Sequence, residues 1–258
     1  MQLLIAYQSD PAGFNMATYI TKDMDKEGDI FHGKHFDLIM IPTPAISADW
    51  IGEKYHYDGY VFLSKHASES GTLALTCHST GNFSDAQFGG FPRQVAIPHP
   101  HLQKSYMQHL CRKKDNFSRF AITIEATHHG PTALNKPSIF IEIGTTQKEW
   151  TDKKLCENVA KIVIEEMSKE PSKHDVAICF GGTHYPKKFN KELIESQFAL
   201  GTVMPKHALD SLDDDLFSHI LNRNKEAKFA LIDWSSLGKN KQKVVDLVQA
   251  TNLEMIKI

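Results

Sequence analysis

Short apolar segments alternate along this chain with amphipathic segments, and no other sequence feature restricts the fold as strongly. Residues 3–7 and 37–41 are apolar segments that end at turn residues or at prolines. Between residues 149 and 169, apolar positions recur three and four apart, which predicts a helix with one face against a sheet. Strands that alternate with such helices are typical of largely parallel sheets. We therefore predict an α/β fold whose mixed, largely parallel central sheet is flanked by helices.

The same pattern sets the other elements and the domain organisation. Further strands are predicted at residues 60–63, 72–76, 120–127, 138–143, 175–180, 229–234 and 253–256. Helices are predicted at residues 14–22, 101–113, 149–169, 191–197, 213–222 and 241–249. The 258 residues contain no internal repeat, low-complexity tract or linker. We predict one domain that spans residues 1–258, a length that suffices to bury a large core.

Composition and charge exclude several classes of protein. With 29 Lys and Arg against 31 Asp and Glu, the net charge is −2, which argues against a generally basic DNA-coating protein. No apolar run approaches the roughly 18 residues that cross a membrane. The four cysteines are scattered and form no C-x-x-C pair, as expected of reduced thiols. We expect a cytoplasmic monomer that binds neither membrane nor DNA.

Four of the fourteen histidines follow predicted strands that are far apart in the sequence. His78 comes after the strand at 72–76, His128 and His129 after that at 120–127, and His184 after that at 175–180. The carboxyl ends of parallel strands open on one edge of a sheet, where ligands bind. We therefore expect these imidazoles to converge on one pocket. A histidine beside a strand can equally be a hydrogen-bonded structural residue, and that reading stays open.

Two glutamates interrupt apolar strands in a way that suggests a metal site. Glu125 and Glu142 are costly in interior strands unless they are paired or metal-bound, although a polar strand face would also explain them. Neutral imidazoles with one carboxylate are typical zinc ligands, and a catalytic site keeps a position open for water. We expect Zn²⁺ as the cofactor, with the following ligands: His128, His129, His184 and Glu142.

A substrate that carries phosphates and an unpaired base would find partners beside His184. Tyr185, Lys187 and Lys188 supply an aromatic ring and positive charge at the predicted pocket, and they are our candidate substrate-binding residues. The signatures of serine hydrolases, P-loop enzymes, dinucleotide-binding enzymes and H-E-x-x-H metalloproteases are absent from the sequence. Hydrolysis of an ester or amide at a metal-polarised carbonyl is the chemistry that best suits the remaining residues.

Five ordered sequence blocks resemble the archaeal and plant type of D-aminoacyl-tRNA deacylase, over about residues 3–230. They read SKHASESG at 64–71 leading into TCHSTGN at 76–82, EATHHGPT at 125–132, PSIFIEIG at 137–144, GGTHYP at 181–186 and PKHAL at 205–209. The resemblance implies a zinc-dependent hydrolase that frees tRNA wrongly charged with D-amino acids. It also implies a fold similar to peptidyl-tRNA hydrolase and nucleoside-phosphorylase-like proteins.

Our hypothesis from the sequence is that the aminoacylated 3′ end of tRNA enters this pocket, where water attacks the ester. Glu125 or His78 is the candidate general base. Ser79, Thr80 and Asn82 are candidates to bind the substrate and the developing oxyanion. A metal-free mechanism, in which His and Asn orient water, is an alternative. So are a peptidyl-tRNA hydrolase, a nucleoside-phosphorylase-like enzyme and a non-catalytic RNA-binding module.

Overall fold

The computed structural model describes residues 1–68 and 71–258; residues 69 and 70, within the first block of the resemblance, lie outside the described part. The strands are β1 (Gln2–Tyr7), β2 (Asp25–Glu27), β3 (Ile30–His32), β4 (Phe36–Ile41), β5 (Gly59–Ala67), β6 (Ala74–His78), β7 (Gly81–Asn82), β8 (Gln94–Val95), β9 (Ala121–Ile124), β10 (Ser138–Thr145), β11 (Asp175–Phe180), β12 (Phe198–Met204), β13 (Ala227–Ile232) and β14 (Glu254–Lys257). The α-helices are α1 (Pro11–Ile20), α2 (Ile51–Lys54), α3 (Pro100–Arg112), α4 (Gln147–Trp150), α5 (Lys153–Met167), α6 (Lys187–Glu195), α7 (Asp214–Arg223) and α8 (Lys241–Gln249).

The larger sheet has the strand order β2-β3-β4-β1-β5-β10-β6-β9. Strands β4, β1, β5 and β10 are parallel neighbours, whereas β6 is antiparallel to β10 and parallel to β9. Apolar side chains of α1, α3 and α5 pack on this sheet, because their buried residues recur on one face. The prediction of an α/β fold with a mixed, largely parallel sheet flanked by helices is confirmed.

A second sheet, which the sequence did not predict, contains four parallel strands in the order β12-β11-β13-β14. One of its faces shares the core of the larger sheet, and the other packs against α7 and α8. Within residues 1–68 and 71–258, no helix combines the length and apolar character needed to span a bilayer.

Several predicted elements have different bounds in the structure, among them the helix predicted at 149–169 and the strand predicted at 120–127. The helix predicted at 149–169 is divided, because Asp152 ends the short α4 region and caps α5 by accepting from Lys154 N and Leu155 N. The strand predicted at 120–127 ends at Ile124. Beyond it, Ala126 N donates to His184 O (2.8 Å) and Thr127 N to Val203 O (2.9 Å). The segment after β9 therefore joins the two sheets.

A buried lysine fixes the chain between α6 and β12. Lys104, on α3, is 1% exposed, and its Nζ lies 2.6, 2.7 and 2.9 Å from the carbonyl oxygens of Leu193, Ser196 and Phe198. We expect Lys104→Met to lower the free energy of unfolding by about 2–4 kcal/mol, because it leaves buried carbonyl groups without a donor. Urea unfolding at neutral pH measures the change.

The matched control is Lys191→Met, since the Lys191 side chain is 70% exposed on α6. It should change the free energy of unfolding by less than about 0.5 kcal/mol. Equal stability of the two variants would contradict the structural role of Lys104.

Candidate metal centre

A cleft of about 520 Å³ opens where the two sheets meet, and we call it the histidine cleft. Its floor and walls come from the ends of β1, β5 and β9, the middle of β10 and the loop after β11. The lining residues are Tyr7, Asp10, Pro44, Ala45, Ile46, Ser64, Lys65, His66, Ala67, Phe88, Glu125, His128, His129, Glu142 and His184.

The four histidines singled out in the sequence lie together, but only His128, His129 and His184 line the cleft, whereas His78, a candidate general base, is fully buried. The His128 ring centroid is 4.2 Å from that of His78, 4.4 Å from His129 and 4.9 Å from His184. The expected convergence is therefore observed, but the single parallel-sheet edge invoked to explain it is wrong. His78 ends β6, which is antiparallel to β10, and His184 follows β11 of the smaller sheet.

Three of these imidazoles are held in the same way by the backbone. The Nδ1 atoms of His78, His128 and His129 lie 3.1, 2.8 and 2.7 Å from the carbonyl oxygens of Ser79, Ala126 and Gly130, respectively. A carbonyl oxygen only accepts, so each Nδ1 carries a proton, and in the neutral form of the ring Nε2 keeps its lone pair. This outer hydrogen bond is the arrangement that orients histidine ligands of metals.

Glu125 is the carboxylate at the centre of the group. It follows β9, has a fully buried side chain, and its Oε2 lies 2.9 Å from His184 Nε2 and 3.6 Å from His128 Nε2. Its Oε1 lies 3.1 Å from His66 Nδ1. Despite these short contacts, neither oxygen has a partner at hydrogen-bond geometry among the described residues. A buried carboxylate surrounded by imidazoles without such geometry fits a ligand for a cation.

Glu142 lies deeper, beside His66. Its Oε2 is 3.4 Å from His66 Nδ1 and 3.8 Å from His78 Nε2. On its other side, His66 Nε2 lies 2.6 Å from the hydroxyl of Tyr185. His66 therefore lies between both glutamates on one side and Tyr185 on the other. Tyr185 belongs to the loop of residues 181–186, which we call the His184 loop.

The electrostatics separate these histidines into two kinds. Burial opposes protonation of His66, but the nearby carboxylates of Glu125 and Glu142 outweigh it and raise its pKa to about 11. Burial and the neighbouring His78 lower the pKa of His129 to about 4, and the same effects with His129 lower that of His128. His128 and His129 are thus neutral at physiological pH, which is the form that binds metal.

The pKa values of both glutamates fall despite their burial. Burial raises the pKa of a carboxyl group, but the imidazole rings of His184 and His66, which lie close to its oxygens, keep the pKa of Glu125 well below its usual range. The neighbouring imidazole rings of His66 and His78 similarly lower the pKa of Glu142. Both side chains are therefore carboxylates at neutral pH.

Three overlapping groups bring ligand atoms within 4.8 Å of one another: His78, His128 and His129; Glu125, His128 and His184; and His66, Glu125 and Glu142. The second group contains two imidazoles and one ionised carboxylate, which is a common ligand set in catalytic zinc sites. Glu142, expected beside the histidine ligands, instead pairs with His66. The donor set present fits Zn²⁺.

Comparison with known proteins shows the family of this chain. The family model for D-aminoacyl-tRNA deacylase matches residues 53–256, which is most of the chain. The chain belongs to the D-aminoacyl-tRNA deacylase family. The D-aminoacyl-tRNA deacylase of Cenarchaeum symbiosum is 56% identical over 256 residues, or 99% of each chain. That of Archaeoglobus fulgidus is 30% identical over 269 residues, covering 100% of this chain and 96% of that one.

A solved structure extends the likeness to both sheets. The conserved protein of unknown function AF0625 superposes with a TM-score of 0.93 at 29% identity, covering 100% of this chain and 95% of that one. The superposed region therefore includes both the second sheet and the histidine cleft.

The three expected oxyanion donors face away from the cleft in this deacylase-family protein. The Ser79 hydroxyl bonds to Thr127 Oγ1 (2.8 Å), and the Thr80 hydroxyl donates to the carbonyl of Pro131. The amide of Asn82 donates to Gly89 O (2.8 Å) and lies 3.3 Å from Phe91 O. None of the three lines the cleft. Their hydrogen bonds hold the backbone around the histidine turn, so they position the site.

Of the expected substrate-binding residues that follow His184, two are accessible to a ligand and one forms an ion pair within the protein. Tyr185 is partly exposed and bonds to His66, and Lys187 is exposed at the start of α6. Lys188 Nζ instead lies 2.8 Å from Asp233 Oδ1 and 3.0 Å from the Ile258 carbonyl oxygen. This ammonium group therefore ties α6 to the end of the chain, and the role of Lys188 in substrate binding stays a prediction.

Sequence reasoning missed His66 and Asp10. The predicted strand at 60–63 extends to Ala67, so His66 is the next-to-last residue of β5 and meets Gly144 of β10. Asp10 accepts hydrogen bonds from Gly13 N (2.8 Å) and Lys65 N (2.9 Å) and lines the cleft. A histidine or carboxylate at the end of a strand was the available signal, since it had already identified His78.

Proposed function

We propose that this protein hydrolyses the ester bond of D-aminoacyl-tRNA with the help of Zn²⁺, releasing the D-amino acid and free tRNA. Family membership supports the substrate class. The observation that carries the proposal is the buried carboxylate of Glu125 beside the Nε2 atoms of His128 and His184, in an open cleft. Within the described residues no cysteine is among the lining residues, and the hydroxyl of Ser64, which does line the cleft, donates to Asp10 Oδ2 (3.0 Å), so water is the nucleophile that we propose.

Glu125, His128 and His184 are the ligand set that we propose for the metal. We choose Glu125 over Glu142 because its oxygen approaches both imidazole nitrogens. His129 and His78 lie on the other side of His128 and complete a neighbouring set that shares it. When bound, zinc polarises the ester carbonyl and lowers the pKa of water. The Nδ1 hydrogen bonds orient the imidazoles for this task.

We assign proton transfer to Glu142 and its positioning to His66. Glu142 lines the cleft, and the adjacent His66 holds it as a carboxylate that can accept a proton from attacking water. Tyr185, bonded to His66 Nε2, fixes the ring from the opposite side. The tRNA end lies toward Lys65 and Lys187, whose exposed ammonium groups suit its phosphates.

The proposed activity is tested by incubating the purified protein with D-Tyr-tRNA, L-Tyr-tRNA and peptidyl-tRNA. We expect rapid release of D-tyrosine and little hydrolysis of the other two. Turnover of peptidyl-tRNA would favour a peptidyl-tRNA hydrolase, and phosphorolysis of nucleosides would favour a phosphorylase-like enzyme. Binding of charged tRNA without turnover, with or without zinc, would favour an RNA-binding module.

Removal of the metal should abolish this activity. We expect exhaustive chelation to lower kcat/KM for D-Tyr-tRNA by about 100-fold or more, because a Lewis acid contributes several kcal/mol. Addition of one equivalent of Zn²⁺ should restore the rate, while Mg²⁺ should not, since the ligand set is rich in imidazole. Full activity of a protein shown to be metal-free would support the metal-free mechanism instead.

A further inference from the structure

Two large aromatic side chains are exposed on one loop beside the histidine cleft. Phe88 is 66% exposed and Phe91 48% exposed, in the loop of residues 84–93, which we call the phenylalanine loop. The backbone hydrogen bond from Arg93 N to Ser84 O (3.0 Å) closes this loop. Two exposed phenyl rings on one loop offer an apolar surface beside the cleft, where a ligand can contact them.

The phenylalanine loop is fastened to the turn that carries His128 and His129. Gly130 N donates to Phe88 O (3.0 Å), and Phe91 N donates to Thr132 Oγ1 (2.9 Å). Asn82 holds the loop from beneath through its amide. Because these bonds join the loop to the metal-binding turn, the Phe88 backbone is fixed relative to the site.

Close packing of glycines adds to this attachment. A Cβ atom on Gly89 would lie 2.0 Å from Ile46 O, and one on Gly130 would lie 2.2 Å from Gly90 N. Gly89 and Gly90 also have φ angles of 74° and 73°, in the region that favours glycine. The loop thus approaches its support more closely than side chains would allow, and it presents Phe88 outward from a rigid base.

Phe88 is also a wall of the cleft that contains Glu125, His128 and His184. We propose that the Phe88 ring stacks against the 3′-terminal nucleobase of the tRNA, holding the aminoacyl ester over the metal centre. This inference rests on the proposed function and adds a substrate-positioning residue to it. Only one ribose separates the terminal base from the ester. The base can therefore contact Phe88 at the cleft wall while the ester lies at the metal centre inside the cleft.

A nucleobase is the occupant that the surroundings favour. The terminal base of tRNA is unpaired, and unpaired bases bind proteins by stacking on aromatic side chains. Lys65 lines the same cleft with an exposed side chain and supplies positive charge for a phosphate. The amino-acid side chain, by contrast, is attached on the side of the ester away from the ribose, so it and the terminal base lie on opposite sides of the ester group.

Two small esters separate these occupants. We compare kcat/KM for the 3′-O-D-alanyl ester of adenosine with that for D-alanine methyl ester, which lacks a base, using the zinc-loaded full chain. The wild-type protein should prefer the adenosine ester. In Phe88→Ala, the ratio of the two values should fall on the order of 5- to 100-fold, the range of one base–aromatic stack. Phe88→Trp should keep the ratio.

Phe91→Ala is the matched control, because Phe91 is exposed on the same loop but does not line the cleft. It should leave the ratio unchanged. An unchanged ratio in Phe88→Ala, or an equal fall in both variants, would overturn the inference. So would a change confined to the ratio of D-tyrosyl to D-alanyl esters, which would assign the ring to the amino-acid side chain.

Inhibition by adenosine 5′-monophosphate provides a second measurement that needs no methyl-ester turnover. Its inhibition constant against D-Tyr-tRNA should rise on the order of 5- to 100-fold in Phe88→Ala and stay constant in Phe91→Ala. An unchanged constant in Phe88→Ala also overturns the inference. If the wild-type protein fails to hydrolyse D-Tyr-tRNA, both the proposed function and this inference are wrong. If the wild-type protein is active but Phe88→Ala changes neither the ester ratio nor the inhibition constant, only this inference is wrong.

Discussion

Glu125→Gln is expected to lower kcat/KM for D-aminoacyl-tRNA by at least about 10³-fold, or about 4 kcal/mol. The substitution keeps the size of the side chain but removes the negative charge beside His128, His184 and His66. An amide oxygen is a weaker zinc ligand than a carboxylate, so the metal content should fall as well. Single-turnover deacylation and metal analysis of the same preparation measure both effects.

Glu166→Gln is the matched control for this substitution. Glu166 is also a buried carboxylate beside a histidine, with His109 Nδ1 at 2.6 Å, but it does not line the histidine cleft. Both variants lose a buried charge, yet only Glu125→Gln should lose zinc and activity. Normal turnover by Glu125→Gln with full zinc content would remove Glu125 from the ligand set.

The fold was predictable where the local pattern carried the signal. Buried strands such as β1, β4 and β11 are continuous apolar runs, and α8 coincides with its predicted bounds. The pattern failed for β2 and β3, which are short, largely exposed strands at a sheet edge and need no apolar alternation. It also failed for β12, which follows α6 almost directly and contains Gly201, a residue that weakens strand propensity.

The convergence of the histidines was predictable, but its cause was not. Which strands are antiparallel, and which sheet holds β11, depends on long-range pairing that no local pattern encodes. The decisive contacts are those of Thr127, whose amide donates to Val203 O and whose hydroxyl accepts from Val203 N (3.0 Å). They attach the histidine turn to the second sheet and so bring His128 to the His184 loop.

Ligand choice shows the same limit. Sequence identified both glutamates as unusual, because each interrupts an apolar strand. Sequence reasoning placed Glu142 among the ligands and Glu125 as a candidate base. We propose the reverse, because the choice depends on which oxygen lies near His184 and which lies near His66. Ser79, Thr80 and Asn82 lie near the site as expected, but their side chains bond to other protein groups and none of them lines the cleft, so we propose that they position the site.

Gly130→Ala is expected to lower kcat/KM on the order of 100-fold or more while the protein stays folded. The new Cβ would lie 2.2 Å from Gly90 N and 2.4 Å from Ile46 O, both backbone atoms that have no rotamer to change. The turn that holds His128 and His129 must therefore shift away from the phenylalanine loop. A displacement of about 1 Å in a catalytic group costs on the order of 100-fold in rate.

The stability cost of this substitution should be smaller, about 1–3 kcal/mol, because overpacking is relieved locally. Thermal unfolding of Gly130→Ala distinguishes this outcome from loss of the fold. Gly52→Ala serves as the control, since its nearest neighbour would be 3.4 Å away and its activity should match the wild type. Wild-type kinetics in Gly130→Ala would mean that the turn tolerates displacement, and the proposed zinc ligands would then have to be held by contacts other than those between the turn and the loop.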